Sequence, residues 1–427
     1  MKIEMLYGNH PLALELPDDK VAALLETKPL PAGKREDELV AAALANPVGS
    51  LPLAELVNKS ETVCIIIGDM TRLWVKHERF LPALLNELNQ GGIADKDIVL
   101  VSATGDHREQ TSDEHRLLAG DEAIKRVKVD DHISTADDLV YLGDTSFGTP
   151  VKINRRVAEA DRVIITGGIV YHFLAGWGGG KKAIIPGVAA RETIMANHAL
   201  AFLPGQGEGL NPNVCAGRMQ GNPCSEDMVE GAALVKPDFL LNTVIDEDND
   251  RIAAVFAGNY IAAHEEGCRF VDKHFRLPLA EQAEVVIASC GGYPKDINFY
   301  QSYKTIYNAH FALQKGGTML LVTESREGVG SEQFMAVFKA YSDREECEAA
   351  LRREYTIGGQ MGYHSTLIAE ENDLLVLSGL PDDTIRMMGM IPLHSLQEGL
   401  DWIKNKHGGL PPCCIMPHGG STLPELS

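Results

Sequence analysis

The sequence predicts an α/β protein of two domains with mainly parallel sheets. Its 427 residues exceed what a single hydrophobic core usually supports, which indicates two domains. Short apolar runs rich in β-branched residues alternate with amphipathic stretches of helical period, a pattern typical of strands covered by helices on both faces. We place the larger N-terminal domain at 1–277, joined by 394–427, and the smaller C-terminal domain at 278–393.

The individual elements are predicted from local patterns. Five prolines interrupt the first fifty residues, which predicts an extended arm lying over a domain. The larger domain is predicted to contain strands at 63–67, 98–101, 126–129, 163–166, 239–245 and 252–257, and helices at 80–88, 191–202 and 261–274. A long loop is predicted at 211–223. The smaller domain is predicted to contain strands at 285–289, 318–322 and 374–377, and a helix that carries Tyr300, Gln301 and Lys304.

Charge and composition argue against several classes of partner. The net charge of −21 would repel nucleic acids and anionic membranes, and no local basic patch offsets it. The N-terminus lacks the apolar stretch of a signal peptide, and no run of about 18 apolar residues is present. Eight cysteines are scattered without a C-x-x-C pair, so neither a zinc ribbon nor a dithiol redox motif is indicated. We expect a cytoplasmic protein that binds neither nucleic acid nor membrane.

Polar clusters follow three of the predicted strands at the point where each strand ends. Residues 69–72 follow the first strand, residues 104–108 follow the second, and residues 171–187 follow the strand at 163–166. Ligands bind open parallel sheets at the carboxyl ends of the strands. The three segments are therefore predicted to converge on one site.

The third segment is rich in glycine and lysine. Four glycines within five positions, at 176 and 178–180, remove Cβ atoms where backbone amides can approach an anion, and Lys181 and Lys182 add charge or a reactive amine. This favours a nucleotide or phosphate site. The loop matches neither common fingerprint, because Ala175 stands where the P-loop requires glycine and Lys181 where the dinucleotide pattern does. A flexible surface turn with solvated lysines is the alternative.

Three histidines are candidate functional residues. His107 follows a strand among polar neighbours, and functional and structural interpretations are equally supported. His172 is flanked by apolar residues and is either a packed imidazole or a base in a dry pocket. His198 is either a core residue or a metal ligand. Since the sequence has no H-E-x-x-H and no zinc-type Cys/His spacing, local motifs alone identify no metal site.

Several motifs occur in a fixed order along the chain. They are Asp69-Met-Thr-Arg72, Thr104-Gly-Asp-His-Arg108, the segment from His172 to Gly187, Met195-Ala-Asn-His198, and Gly291-Gly-Tyr-Pro294 followed by Tyr300-Gln-Ser-Tyr-Lys304. In this set the chain resembles the nickel-dependent lactate racemase family, whose members carry D-x-T-R, T-G-x-H-R, H-x-x-A-G-x-x-G-G-x-K-x-x-x-P-G and A-N-H elements. The resemblance covers nearly the whole chain. It implies an active site in the cleft between the two domains.

The resemblance also implies a cofactor. This is nickel held in a sulfur/carbon pincer by pyridinium-3,5-bisthiocarboxylic acid mononucleotide, which is joined through a thioamide to one lysine. That lysine corresponds to Lys182, with Lys181 at the preceding basic position. His198 corresponds to the protein ligand that completes a roughly square-planar nickel site. The other implied cofactor contacts are Asp69, Thr71, Gly178, Gly179 and Gly180, with Asp69 supporting either Arg72 or the ribose. The enzymes that make the cofactor are implied partners.

The implied activity is that of a racemase or epimerase acting on a 2-hydroxy acid. Passing a hydride to an electrophilic cofactor and back avoids a carbanion beside a carboxylate. Two acid/base histidines are needed because the alcohol oxygen lies on opposite sides in the two enantiomers, and an imidazole pKa of about 6.5 suits both roles. The matching acid/base residues are His107 and His172, and the substrate-binding residues are Arg72, Lys304, Gln301 and Tyr300.

The chain departs from the family pattern at two places. Leu73 and Trp74 stand where proline often follows the T-R pair, and Trp177 with Gly178 replaces Phe-Ser between the glycines. The motifs therefore fit lactate, a bulkier or more polar 2-hydroxy acid, or a sugar acid epimerised at C2. Two other classes are alternatives: a non-catalytic nucleotide-binding protein, and a zinc-type hydrolase or lyase that uses all three histidines.

Overall fold

The computed structural model describes residues 1–27, 30, 33–246, 249–341 and 343–426. The chain forms two compact units. The larger unit comprises Leu30–Leu203 and Leu210–Lys273, and the smaller comprises Met1–Pro29, Pro204–Gly209 and His274–Ser427. The predicted α/β class with large, mainly parallel sheets is confirmed.

Strands and helices are distributed along both units of the chain. The strands are β1 (Lys2–Tyr7), β2 (His10–Glu15), β3 (Val21–Leu24), β4 (Val63–Gly68), β5 (Ile98–Ala103), β6 (Lys128–Asp131), β7 (Val140–Asp144), β8 (Pro150–Ile153), β9 (Arg162–Gly168), β10 (Tyr171–His172), β11 (Gly176–Trp177), β12 (Phe239–Asp246), β13 (Arg251–Gly258), β14 (Arg276–Leu279), β15 (Ala283–Ser289), β16 (Leu313–Val322), β17 (Asp373–Leu377), β18 (Ile391–Leu393), β19 (Cys413–Met416) and β20 (Leu423–Leu426). The α-helices are α1 (Glu36–Ala45), α2 (Leu53–Leu56), α3 (His77–Gln90), α4 (Ser112–Arg126), α5 (Arg155–Glu159), α6 (Arg191–Ala199), α7 (Pro223–Val235), α8 (Ala262–Phe275), α9 (Phe299–His310), α10 (Glu332–Ala340), α11 (Arg344–Arg353), α12 (Ile357–Glu371), α13 (Asp382–Met387) and α14 (Leu396–His407).

The sheet of the larger unit has the order β13-β12-β9-β4-β5-β6 and is parallel except for the pair β12 and β13. Successive side chains of β4 enter opposite faces: Ile65 and Ile67 pack in one hydrophobic cluster, and Cys64 and Ile66 in another. The first cluster includes α3, which buries one apolar stripe. Helical and loop residues thus cover both faces, which explains why the strands are apolar throughout.

The sheet of the smaller unit has the order β18-β17-β16-β15-β19-β3 and is parallel throughout. Two sequence-based assignments are wrong here. The N-terminal residues are not an arm: β1 and β2 form a hairpin whose Met5 and Leu14 are buried in the core of this unit, and β3 is a strand of its sheet. The segment 394–427 belongs to this unit and not to the larger one, because the fully buried β19 pairs with β15.

Local boundaries differ slightly from the prediction. Helix α6 ends at Ala199 rather than 202, and β6 begins at Lys128 rather than 126. All eight cysteines are free thiols. Across the ranges that the structure describes, no helix combines the length and apolarity needed to cross a membrane.

Candidate active site

Three neighbouring strands of the larger unit end beside one another. They are β9, β4 and β5, and the three polar segments follow their carboxyl ends, as the sequence predicts. The second and third segments are joined by a hydrogen bond from the Gly105 amide to the Gly187 carbonyl oxygen at 3.0 Å. The first and second are joined by the side chains of Asp69 and His107. The structure therefore brings these segments together at one edge of the sheet.

Asp69 organises the first segment. Its Oδ2 lies 2.6 Å from Nδ1 of His107, and its Oδ1 accepts a hydrogen bond from the Thr71 hydroxyl at 2.6 Å. Thr71 Oγ1 in turn accepts from Nη1 of Arg72 at 2.8 Å. Burial acts to raise the pKa of Asp69, but the hydrogen bonds from His107 and Thr71 outweigh it and lower the pKa. Asp69 is thus an ionised acceptor that positions His107, a contact with no signature in the local sequence.

His107 and Arg72 present their reactive ends outward. The carboxylate of Asp69 fixes the ring proton of His107 on Nδ1, so Nε2 carries the lone pair. The side chain of His107 is 50% exposed, which leaves that nitrogen accessible to a substrate. Arg72 is exposed as well, and its Nη1 donates to the carbonyl and hydroxyl oxygens of Thr71. The arrangement places an imidazole and a guanidinium group after the ends of two adjacent strands.

His172 and Lys182 meet in the third segment. Nε2 of His172 lies 3.1 Å from Nζ of Lys182. Nδ1 of His172 accepts hydrogen bonds from the backbone amides of Leu174 and Ala175 at 3.1 and 3.3 Å. Burial, followed by the positive charges of Arg72 and Lys181, lowers the pKa of Lys182 to about 7. A large fraction of this amine is therefore uncharged near neutral pH.

The glycines of the loop serve close packing. Two of the amides proposed to face an anion are already engaged: Gly178 donates to the Val170 carbonyl oxygen at 2.7 Å, and Gly180 donates to Oδ1 of Asn242 at 2.9 Å. Gly179 and Gly180 have φ values of +73° and +53°. A Cβ on Gly179 would lie 2.6 Å from Oδ1 of Asn242. These glycines are thus required by backbone conformation and by the Asn242 side chain beneath them.

His264 is a second support of the loop that sequence reasoning missed. Its Nε2 lies 2.9 Å from the Gly178 carbonyl oxygen, and a Cβ on Gly180 would approach its ring to 2.7 Å. Burial, together with the charge of Lys181, lowers the pKa of His264 to about 3, so the ring is neutral and donates to that carbonyl. Neither His264 nor Asn242 lies near the loop in sequence, and no local motif marks them.

Lys181 is buried and points to a different partner from Lys182. Its Nζ donates to the Ala175 carbonyl oxygen at 3.2 Å, and burial lowers its pKa to about 8. The two adjacent lysines therefore differ in their surroundings. Lys182 is partly buried against a histidine nitrogen, whereas Lys181 lies against a carbonyl oxygen.

His198 lies on α6 in the same unit and is 1% exposed. Burial and the charge of Lys182 lower its pKa to about 3, so its ring is neutral at physiological pH. Nδ2 of the preceding residue, Asn197, donates hydrogen bonds to Oδ2 of Asp227 at 2.7 Å and to the Cys224 carbonyl oxygen at 3.0 Å. A neutral imidazole is the form that binds a metal. Within the described part of the chain, no three His, Cys, Asp or Glu side chains are grouped so as to hold a metal ion.

Tyr300, Gln301 and Lys304 lie on α9 of the smaller unit, whereas the other candidate residues belong to the larger one. The helix begins after Asn298, whose Oδ1 accepts from the Gln301 amide at 3.0 Å. The ring of Tyr300 packs edge-on against Phe334, with centroids 6.2 Å apart. These contacts fix the first turn of the helix.

Comparisons with known proteins cover nearly the whole chain. The model for the lactate racemase N-terminal domain matches residues 7–209, and that for the C-terminal domain matches residues 279–423. The lactate racemase of Lactiplantibacillus plantarum is 32% identical over 425 residues, 98% of each chain. That of Thermoanaerobacterium thermosaccharolyticum is 33% identical over 347 residues, 81% of this chain and 79% of the relative.

Solved structures agree with these matches. The lactate racemase apoprotein from Thermoanaerobacterium thermosaccharolyticum superposes with a TM-score of 0.91 at 30% identity, covering 100% of both chains. A protein from Thermotoga maritima superposes with a TM-score of 0.64 at 17% identity, covering 92% of this chain and 98% of that one, which supports the fold alone.

Proposed function

The chain belongs to the lactate racemase family and is an isomerase, and from this premise we propose that it inverts C2 of lactate or a related 2-hydroxy acid by reversible hydride transfer. The supporting observation is the contact of His172 with Lys182, since it joins an acid/base residue to the expected attachment site of the cofactor. Membership of a racemase family argues against the two alternatives, a nucleotide-binding protein without turnover and a zinc-type hydrolase or lyase.

The residues present fit the implied nickel-pincer nucleotide. Lys182 offers an amine of low pKa for the thioamide, and His198 offers a neutral imidazole for nickel. The pincer would itself supply most of the nickel ligands, so a single buried histidine, His198, would be sufficient on the protein side. Lys181, Thr71 and the glycine loop would complete the surroundings of the cofactor. When bound, the group would supply an electrophilic acceptor for the hydride of C2.

The two histidines carry the proton transfers. His107 accepts the hydroxyl proton of one enantiomer at Nε2, and its contact with the Asp69 carboxylate stabilises the imidazolium that forms. We assign the proton transfer on the opposite enantiomer to His172, whose Nδ1 accepts from the Leu174 and Ala175 amides, so that its Nε2 proton is the one it would donate as that enantiomer forms. We therefore assign Asp69 to the positioning of His107 and not to the cofactor ribose.

Arg72 binds the substrate carboxylate. One of its guanidinium nitrogens, Nη1, rests on Thr71, which orients the planar group for a bidentate contact. Tyr300, Gln301 and Lys304 keep the substrate-binding roles that their motif implies. Holding the carboxylate while C2 becomes planar allows the hydride to return to either face.

Lactate is the first substrate to test. The protein should be produced alongside the enzymes that make the cofactor, and then analysed for nickel and for a nucleotide-sized adduct on the peptide containing Lys182. Incubation of one lactate enantiomer in D₂O, followed by chiral chromatography and mass spectrometry, should give the opposite enantiomer without deuterium at C2. Lys182→Ala should lose both the adduct and the activity. Deuterium at C2 would indicate deprotonation and contradict the hydride mechanism.

A further inference from the structure

The side chain of Gln110 connects the carboxyl ends of three adjacent strands of the larger unit. Its Oε1 accepts a hydrogen bond from the amide of Met70, just beyond the end of β4, at 2.7 Å. Its Nε2 donates to the hydroxyl oxygen of Ser102 on β5 and to Oδ1 of Asp131, the last residue of β6, at 3.1 Å. Since β4 pairs with β5 and β5 with β6, one amide group links three neighbouring strand ends.

The partners determine which way the Gln110 amide faces. The backbone N–H of Met70 can only donate, so it faces Oε1, and the carboxylate of Asp131 can only accept, so it faces Nε2. Asp131 also holds the backbone of Gln110, because its Oδ2 accepts from the Gln110 amide at 2.8 Å. The side chain of Asp131 is only 9% exposed, and its Oδ1 lies 2.9 Å from Nε2 of His115. A largely buried carboxylate thus fixes Gln110 in one orientation.

Gln110 joins the two segments that carry the contact between Asp69 and His107. Met70 directly follows Asp69 in the chain, and His107 precedes Gln110 by three residues. The hydrogen bond between Met70 and Gln110 is therefore a second link between these segments, in addition to the 2.6 Å contact of their side chains. A single link leaves two segments free to rotate about it, whereas two links fix both their separation and their orientation.

We propose that Gln110 is a positioning residue for the acid/base pair: by joining Met70 to Asp131, it holds Asp69 within hydrogen-bonding distance of Nδ1 of His107. The ring proton of His107 then stays on Nδ1, and the lone pair stays on Nε2, where the substrate hydroxyl is deprotonated. This inference deepens the proposed function, because it rests on the acid/base role that we assign to His107.

The tautomer of His107 tests the inference in the apoprotein, without cofactor or substrate. Long-range ¹H–¹⁵N NMR of protein labelled with ¹⁵N-histidine, at a pH at which the ring is neutral, distinguishes a proton on Nδ1 from one on Nε2. His107→Gln identifies the signal. Since the hydrogen bond of one ring nitrogen determines which nitrogen carries the proton, wild-type protein should show mainly the Nδ1–H form.

Gln110→Met removes both polar contacts at a similar side-chain volume. It should lower the ratio of the Nδ1–H to the Nε2–H form of His107 about tenfold, which corresponds to the loss of one hydrogen bond to a charged group. Glu109→Met is the matched control, because Glu109 is the exposed neighbour of Gln110 in the same loop. This control should leave the ratio unchanged.

An exchange of amide and carboxylate separates hydrogen bonding from a general loosening of the loop. Gln110→Glu alone sets a second carboxylate against Asp131, and Asp131→Asn alone sets an amide N–H group against a donor of Gln110 in either orientation. Each should lower the ratio as Gln110→Met does. The double variant restores a donor–acceptor match, keeps an acceptor for Met70 and leaves one amide hydrogen for the neutral ring of His115. Its ratio should return to within about threefold of wild type.

Three results of the NMR experiment would overturn the positioning role. They are an unchanged ratio in Gln110→Met, an equal change in Glu109→Met, and failure of the double variant to restore the ratio lost in the single variants. Urea unfolding of every variant identifies any that is not folded, and the ratios are compared among the folded ones.

Kinetics of the loaded enzyme separate this inference from the proposed function. If Gln110 acts through Asp69, Gln110→Met should reduce kcat about tenfold in the wild-type background and less than about twofold in Asp69→Asn. Equal reductions in the two backgrounds would overturn the route through Asp69. The expected tautomer ratios in a loaded protein that racemises no 2-hydroxy acid would contradict the proposed function and support the positioning role of Gln110.

Discussion

His107 donates its Nδ1 proton to Oδ2 of Asp69 across 2.6 Å, and the contact ties together the ends of two adjacent parallel strands, β4 and β5. The carboxylate is buried while half of the imidazole is exposed. The buried partner therefore fixes the ring orientation, and the accessible nitrogen is left for chemistry. The orientation of the His107 ring thus depends on a residue 38 positions away in the chain.

Replacing Asp69 by Asn should reduce kcat by about 100-fold, within the range for general acid/base catalysis. Asparagine has no charge to stabilise the imidazolium, and its amide can hold His107 in the wrong tautomer. Since a racemase has an equilibrium constant of one, kcat/KM should fall equally from either enantiomer. Initial rates with each enantiomer test this. Asp106→Asn is the control, because Asp106 precedes His107 in the chain but its Oδ1 accepts a hydrogen bond from Ser134 instead. Equal losses in both variants would contradict the assignment.

Replacing Arg72 by Lys should raise KM for the 2-hydroxy acid by about 10- to 100-fold, since the bidentate contact with the carboxylate is lost while the charge remains. Steady-state kinetics with lactate measure the change. Arg108→Lys is the matched control, because Arg108 in the next segment is paired with Glu114. An unchanged KM in Arg72→Lys would assign carboxylate binding to another cation.

Two glycines with similar backbone angles give a test of loop packing. Gly180 and Gly221 have φ values of +53° and +74°, but only at Gly180 would a Cβ meet a neighbour, the ring of His264 at 2.7 Å. Gly221→Ala should lower the free energy of unfolding by about 1 kcal/mol through the backbone alone. Gly180→Ala should lower it by a further ~1–3 kcal/mol through overpacking. Urea unfolding provides both values, and equal losses would exclude the packing role of His264.

Stability should fall below pH 6.5 because of His77. Burial lowers its pKa in the folded protein to about 3, and its Nε2 accepts a hydrogen bond from the Gly68 amide at 3.1 Å. Below pH 6.5 the unfolded chain therefore binds a proton that the folded chain does not. This contributes a loss of about 1.4 kcal/mol per pH unit down to the folded pKa.

His77→Gln keeps an acceptor for Gly68 but cannot titrate. Urea unfolding at pH 6.5, 5.5 and 4.5 should show a shallower fall in the free energy of unfolding for this variant than for wild type. The comparison uses the slope, so an overall loss of stability in the variant does not affect it. Parallel slopes would show that His77 contributes nothing to the pH dependence.

Local sequence patterns were sufficient to predict the strand ends that carry the candidate site residues. The apolar runs of β4, β5 and β9 and the polar residues after them are contiguous, so their convergence follows from parallel-sheet geometry. The helix that carries Lys304 could also be predicted from the local sequence. The motif resemblance added the chemical roles of these residues, which spacing alone does not supply.

Contacts between segments that are distant in the chain could not be predicted from local sequence patterns. Asn242 on β12 and His264 on α8 support the glycine loop only because the sheet brings them beneath it. The same limit explains the error at the N-terminus: the prolines were visible in the sequence, but the pairing of β3 with β19 was not. Such pairings are determined by the completed sheet and not by periodicity.

The pairing of β3 with β19 also bears on synthesis at the ribosome. Val21–Leu24 forms the edge of a sheet whose neighbouring strand, Cys413–Met416, follows far later in the chain. The larger unit can close as soon as residue 273 has emerged, whereas Val21–Leu24 stays unpaired until Cys413–Met416 follows. The hairpin of β1 and β2 can pair at once, so Val21–Leu24 is the strand of this sheet that waits longest for its neighbour.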